Sequence, residues 1–243
     1  MKSLIGAGLL AIAGLTTGTA SHAAWPERPI TLIIPAAPGG TTDIVARLIS
    51  EKLGAALGTT IVIENKAGAA GIIGTQALVR AAPDGYTLIM GNIGPNSINY
   101  SLYKNLPYKA TDFAPISLVI AVPNILVVNS KSPYTSVKEL VDAVKNDPKG
   151  NYSFGSSGTG QSPHLSSEMF TQRTGITMTH IPFKGMGPAV TALLGGQVTF
   201  LIDNLPSSIA FIRSGQFRAL AITGDQRSPQ LPDVPTMAEA GIK

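Results

Sequence analysis

Ile30-Thr31-Leu32-Ile33-Ile34-Pro35-Ala36-Ala37-Pro38-Gly39-Gly40-Thr41-Thr42-Asp43 reads as a buried strand, a glycine loop and the start of a helix. The apolar run up to Ile34 makes a strand that Pro35 ends, and apolar residues then recur at helical spacing from Thr41 to Leu57. Ile61-Val62-Ile63 follows as a second strand, 71–82 as a second helix, and 86–90 as a third strand announced by Pro83-Asp84-Gly85. The order is βαβαβ. Such alternation predicts α/β architecture: mostly parallel strands covered by helices on both faces, with ligands at the carboxyl ends of the strands.

Outward from that unit, Phe113 to Ser130 carries no charged residue over 18 positions. That length would allow a membrane helix, but Pro115, Pro123 and Asn124 interrupt it. β-Branched residues dominate 116–122 and 125–128, so two buried strands joined at a bend are expected. A second α/β unit then begins, with a helix at 136–145, a strand at 152–154 and a helix at 163–174 that has proline in its first turn. Strands at 177–180, 198–202 and 219–222 alternate with helices at 188–194 and 207–213. Two such sheets frame a cleft. The crossing between lobes is placed near Val122-Pro123-Asn124, giving a first lobe over 24–121, a second over 122–221, and a return towards the first beginning in 222–243.

Composition narrows the function. Hydrophobic residues make up 44% of the chain and charged residues 13%, enough apolar surface for a sizeable core and too little charge for a self-repelling, disordered polymer. The absence of cysteine excludes a thiol nucleophile, a disulfide scaffold and any Cys-based metal site. The formal charge of +4 forms no basic stripe, since no two Lys or Arg residues are adjacent, and no nucleic-acid partner is expected. Met1-Lys2, an apolar stretch from Leu4 to Leu15 and Ser21-His22-Ala23 have the pattern of a signal peptide cleaved after Ala23. The apolar stretch is shorter than the roughly 20 residues that span a bilayer. The 1–23 segment therefore predicts export to the periplasm.

The glycine loops carry the chemistry. Pro38, Gly39, Gly40, Thr41 and Asp43 lie where a strand end meets a helix start, so backbone N–H groups converge on a potential anion site. Ser156, Ser157, Gly158, Thr159 and Gly160 have the same placement in the second unit. Taken one at a time, these are equally well glycine turns closing a strand–helix connection; as a facing pair they read as a carboxylate site. Gly155 to Ser162 also approaches the phosphate-loop pattern, but Gln161 stands where its lysine belongs. His164 is placed either to donate to a ligand or to pack its helix. Asp203 stands at a strand end, where it either lines the cleft or caps the next helix. The mature chain has only His164 and His180, no Gly-x-Ser-x-Gly elbow and no histidine–carboxylate set at ligand spacing. No enzyme activity, metal or cofactor is expected. The enzyme alternative is an exported hydrolase using Ser156, Ser157 or Ser162 with His164.

These motifs resemble a known family. Trp25-Pro26-Glu27-Arg28-Pro29-Ile30, Pro38-Gly39-Gly40-x-x-Asp43-x-x-Ala46-Arg47, Asn65-x-x-Gly68 and Pro83-Asp84-Gly85-Tyr86-Thr87-Leu88 look like signatures of Bug-type receptors of tripartite tricarboxylate transporters. So do Gly155-x-x-Gly158-x-Gly160, His164-Leu165 with Glu168, and His180-Ile181-Pro182-Phe183-Lys184-Gly185. The resemblance implies a type II periplasmic binding protein, with two α/β lobes of mostly parallel sheet around a central cleft. Such a receptor is a monomer that closes on a small carboxylated solute and delivers it to membrane permease subunits. It further implies that 38–43 hold a carboxylate through backbone groups and water while 156–160 close from the other lobe. Family members continue beyond Lys243, so the resemblance predicts a C-terminally truncated form with an incomplete first lobe, and makes a non-functional relic the other alternative. Ala36-Ala37 stand where the family has an aromatic residue, and Ala70 where it has glycine.

Overall fold

The computed structural model describes residues 25–147 and 149–242; the expected signal peptide lies outside them. In the first sheet, β1 (Ile30–Ile34) lies between β2 (Ile61–Asn65) and β3 (Thr87–Ile89), and both pairings are parallel. The apolar run of β1 fits this central place, with four of its five residues buried. Helix α1 (Thr41–Leu57) packs Val45 and Ala46 against Leu32, Ile34 and Met90. Helix α2 (Ile72–Val79) follows a 3-10 turn at Ala69–Gly71, and a π-helical turn at Gly94–Ile98 runs into the short α3 (Asn99–Leu102).

The second sheet has order β6-β5-β7-β4-β8, from β4 (Asn124–Asn129), β5 (Ser153–Ser156), β6 (Thr179–Pro182), β7 (Phe200–Asn204) and β8 (Phe217–Ile222). β5 pairs in parallel with β6 and β7, whereas β4 runs antiparallel to β7 and β8. Helices α4 (Val137–Asn146), α5 (Ser162–Thr174), α6 (Met186–Leu194) and α7 (Leu205–Arg213) cover it. One core gathers Leu126, Leu140, Phe154, Phe170 and Phe200; another gathers Ile125, Val127, Leu193 and Leu201. The sheets are open, as the two-lobe reading requires.

Two expectations differ from this arrangement. The strand expected at 116–122 does not form: Ile116 and Leu118 are 80% and 83% exposed, and β3 pairs only with β1 among the described residues. β-Propensity makes a strand only where a neighbouring strand supplies the ladder, and none lies beside this segment. The chain after Ile222 also does not turn to the first lobe. Thr236 bridges Ile222 in parallel, and Met237, Ala240 and Ile242 pack on the core of the second sheet. No helix among the described residues is long and apolar enough to cross a membrane.

Candidate functional site

The first glycine loop leaves β1 and enters α1, whose N-cap Gly40 has no side-chain cap. Its N–H groups are not all free. The Gly39 N–H donates to Asp43 Oδ2 at 3.0 Å, so the loop closes on a carboxylate from its own helix. Arg47 donates to Asp43 through Nε and Nη2, at 2.9–3.1 Å, and Asn65 Nδ2 donates to Asp43 Oδ1 at 2.9 Å. Burial alone would raise the Asp43 pKa, but these donors and the Arg47 charge outweigh it and hold it below the usual carboxylate range. Asp43 is thus a buried internal anion. The N–H groups of Gly40, Thr41, Thr42 and Asp43 have no helical carbonyl to reach, and of these residues only Thr41 and Thr42 keep exposed surface.

The second loop is satisfied differently. Ser156 Oγ accepts the Gly158 N–H at 3.1 Å and lies 2.6 Å from His180 Nε2. His164 Nδ1 accepts the Gly160 N–H at 3.1 Å, with its Nε2 3.5 Å from Glu168. Because Ser156 Oγ already accepts the Gly158 N–H, it donates its own proton to His180 Nε2, and His164, accepting at Nδ1, carries its proton on Nε2. Both rings are then neutral. Burial lowers both pKa values, that of His180 to about 4 with help from the His164 charge, while Glu168 pulls His164 the other way. The rings stack on each other at 4.0 Å and on Phe154. His164 therefore braces the loop from beneath, and only Ser157 and Thr159 of this loop keep exposed surface.

The two lobes meet at these loops. Ala37 N–H donates to the Lys184 carbonyl at 3.1 Å, and Thr41 Oγ1 donates to Ser207 Oγ at 3.1 Å. Ser207 and Ser208 both donate to Asp203 Oδ2 at 2.6 Å, and the Asn204 N–H reaches Oδ1. Asp203 is fully buried, which raises its pKa to about 6 against those three hydrogen bonds. It ties the Asn204 N–H and two serines of the first turn of α7 together, and reaches the junction only through Ser207. A Cβ at Gly187 would overlap the Pro38 carbonyl, so the helix α6 start approaches the first loop as only glycine permits. The starts of α5 and α6 have neither a side-chain cap nor a first-turn acid.

On the side of the first lobe, Ala69 and Ala70 have φ of 45° and 52°, a left-handed conformation that costs an L-residue about 1–2 kcal/mol. The Ala70 carbonyl accepts from Asn99 Nδ2 at 3.2 Å and from Gln161 Nε2 of the second lobe at 2.8 Å. Asn99 is fully buried, and its Oδ1 has no hydrogen-bond partner. Two open grooves, about 200 and 450 Å³, lie at the opposite, amino ends of the strands and share no residue with the loops.

The motifs and the fold together match a known family. The model of the tripartite tricarboxylate transporter family receptor aligns with residues 45–243. The chain belongs to that family. Members of the tricarboxylate receptor family are periplasmic solute-binding receptors. The chain is similar to protein BugT of Bordetella pertussis, 44% identical over 241 residues that cover 96% of this chain and 74% of BugT. Among solved structures it is similar to an R. palustris protein with adipate (39% identity, TM-score 0.86, covering 90% of this chain and 73% of that one). It is also similar to MatC from Rhodopseudomonas palustris with bound malate (35% identity, TM-score 0.83, 90% and 74%). The chain thus spans about three quarters of the length of these relatives.

The structure brings together Pro38, Gly39, Gly40 and Thr41 with the second lobe. It places Asp43, Ser156, Gly158, Gly160 and His164 in the supporting layer of the loops. The hydrolase alternative would set Ser156, Ser157 or Ser162 with His164; the hydroxyl of Ser156 instead meets His180, and Ser156 is fully buried. Sequence reading missed Lys184, Ser207, Gly187, Asn99 and Ala70 as junction residues. Lys184 sits inside a quoted motif, but its contribution is a carbonyl, which no side-chain identity announces.

Proposed function

We propose that this chain captures a small carboxylated solute between its two lobes and hands it to the membrane permease of a tripartite tricarboxylate transporter. The observation that carries the reading is the convergence of helix starts on one junction: α1 from the first lobe, α6 and α7 from the second, with the loop before α5 alongside. Helix starts favour a carboxylate by about 0.3–1 kcal/mol each, more when water is excluded. Because Asp43 and Asp203 already neutralise α1 and α7, the uncapped starts of α5 and α6 are the stronger attraction for an anion. Thr41, Thr42, Ser157 and Thr159 are the groups offered to it. The solutes bound by the two R. palustris relatives, adipate and malate, are of this chemical class. The receptor acts in the periplasm as a monomer and carries out no chemistry on the solute.

Thermal unfolding of the chain from residue 24, against a panel of millimolar dicarboxylates, tricarboxylates, aromatic acids, amino acids and amides, tests this. Solute at 100 times its dissociation constant adds about 2.7 kcal/mol of stability. A shift confined to carboxylates is expected; a panel in which no acid moves the transition would reject the reading.

A further inference from the structure

Gln161 sets the loop before α5 against the first lobe and is not among the groups offered to the solute. It stands where a phosphate loop has lysine, it is 8% exposed, and it is the N-cap residue of α5 yet makes no capping hydrogen bond. Its side chain instead leaves its own lobe and donates to the Ala70 carbonyl, 91 residues away in the first lobe. The receiving notch is shaped for it. On one wall, a Cβ at Gly94 would overlap the Gln161 amide, so the missing side chain there is what leaves room. On the other wall, two successive alanines hold a left-handed turn that presents the carbonyl. The same carbonyl also accepts from Asn99 of the first lobe, so it keeps a hydrogen-bond partner when the lobes separate. Asn99 Oδ1 is buried without a partner beside this contact. This contact stands beside two other hydrogen bonds between the lobes, Ala37 to Lys184 and Thr41 to Ser207.

We propose that Gln161 is a latch that closes the lobes through direct protein contact, without needing a solute to bridge them. This rests on the two-lobe receptor reading and adds to it a closed population in the free protein. Part of the closing energy is then supplied before the solute arrives, and the apparent affinity is set partly by the latch.

The chain has no cysteine, so Glu51→Cys on α1 and Lys145→Cys on α4, both exposed, give one clean label in each lobe for single-molecule energy transfer. In the absence of solute, the full chain is expected to show a closed population. Gln161→Ala and Gly94→Ala should each shift it to an open one, from opposite sides of the same contact, and the double variant should open no further than either single. Malate and adipate, added at millimolar concentration, should restore closure in the variants, with apparent affinity weakened about three- to tenfold. Should Gln161→Ala fail to fold, Gly94→Ala carries the same test from the other lobe. Unchanged distributions in the folded variants, or effects of the two substitutions that add, would overturn the latch. Opening by the variants with no response to either acid would uphold the latch while striking the solute-capture reading.

Discussion

The two glycine loops share a motif type and a position in the fold, yet they are held by opposite means. In the first, a buried carboxylate takes the loop N–H and is itself held by Arg47 and Asn65. In the second, a neutral hydroxyl and a neutral imidazole take the N–H groups, backed by stacked aromatic rings. A strand–glycine–helix connection is therefore not an anion site merely by geometry; what matters is which donors the chain has already used. The first loop contains its own anion and can accept another only through the next N–H groups along. The second lobe contributes the starts of α5, α6 and α7, none with an acid in its first turn.

Removing the first loop's anion should have the largest effect. Asp43→Ala leaves Arg47, Asn65 and the Gly39 N–H without their common acceptor and is expected to cost about 3 kcal/mol in urea unfolding. A loss below about 1 kcal/mol would mean that the loop holds its shape without the carboxylate. His180→Ala should cost about 2 kcal/mol, from one hydrogen bond and two ring stacks, and should deprotect the Gly158 amide while leaving Gly39 unchanged. Equal deprotection at both loops would break the contrast.

Acid sharpens the comparison further. Both histidine pKa values are depressed in the fold, so the stability they contribute is complete above their ordinary value of 6.5; the share of His180 is lost as pH falls from there through about 4. Asp43 is depressed from 3.8, so its loss begins only below that value. Amide protection at Gly158, whose acceptor Ser156 is backed by His180, should therefore fall between pH 6.5 and 4 while protection at Gly39 holds. Asp203 has the opposite sign: its pKa is raised to about 6, so its contribution is greatest below pH 3.8 and is lost as pH rises through 6. It offsets the histidines in any global melt, so the measurement must resolve single amides. The smallest effect expected is Arg47→Lys, about 0.5–1 kcal/mol, because an ammonium cannot reproduce the two-nitrogen grip on Asp43.

Much of this fold is legible in the sequence because period and punctuation agree. The run Ile30 to Ile34 followed by Pro35 and two glycines admits one reading, and it places β1, the loop and α1 correctly. The failure at Ile116 to Val122 shows the limit of the same logic: β-branched residues describe what a strand needs, and only a neighbour supplies it. In the site, the loops were legible and their occupants were not. Asp43 and His164 adjoin the glycines, which makes both candidates to face a ligand and leaves His164 equally a candidate to pack its helix. Whether such a side chain points into the cleft or back beneath the loop depends on partners such as Asn65 and Phe154, distant in the chain. Gln161 was noticed only for not being lysine, and its partner is a carbonyl that no sequence pattern marks.

The central claim is that both loops take part in binding one solute. Hydrogen exchange at the amides of Thr41, Thr42, Ser157 and Thr159, with and without saturating malate or adipate, tests it most directly. The account predicts added protection in both loops together, over the same range of solute concentration. Protection of one loop alone, or protection that appears at two different concentrations, would contradict it.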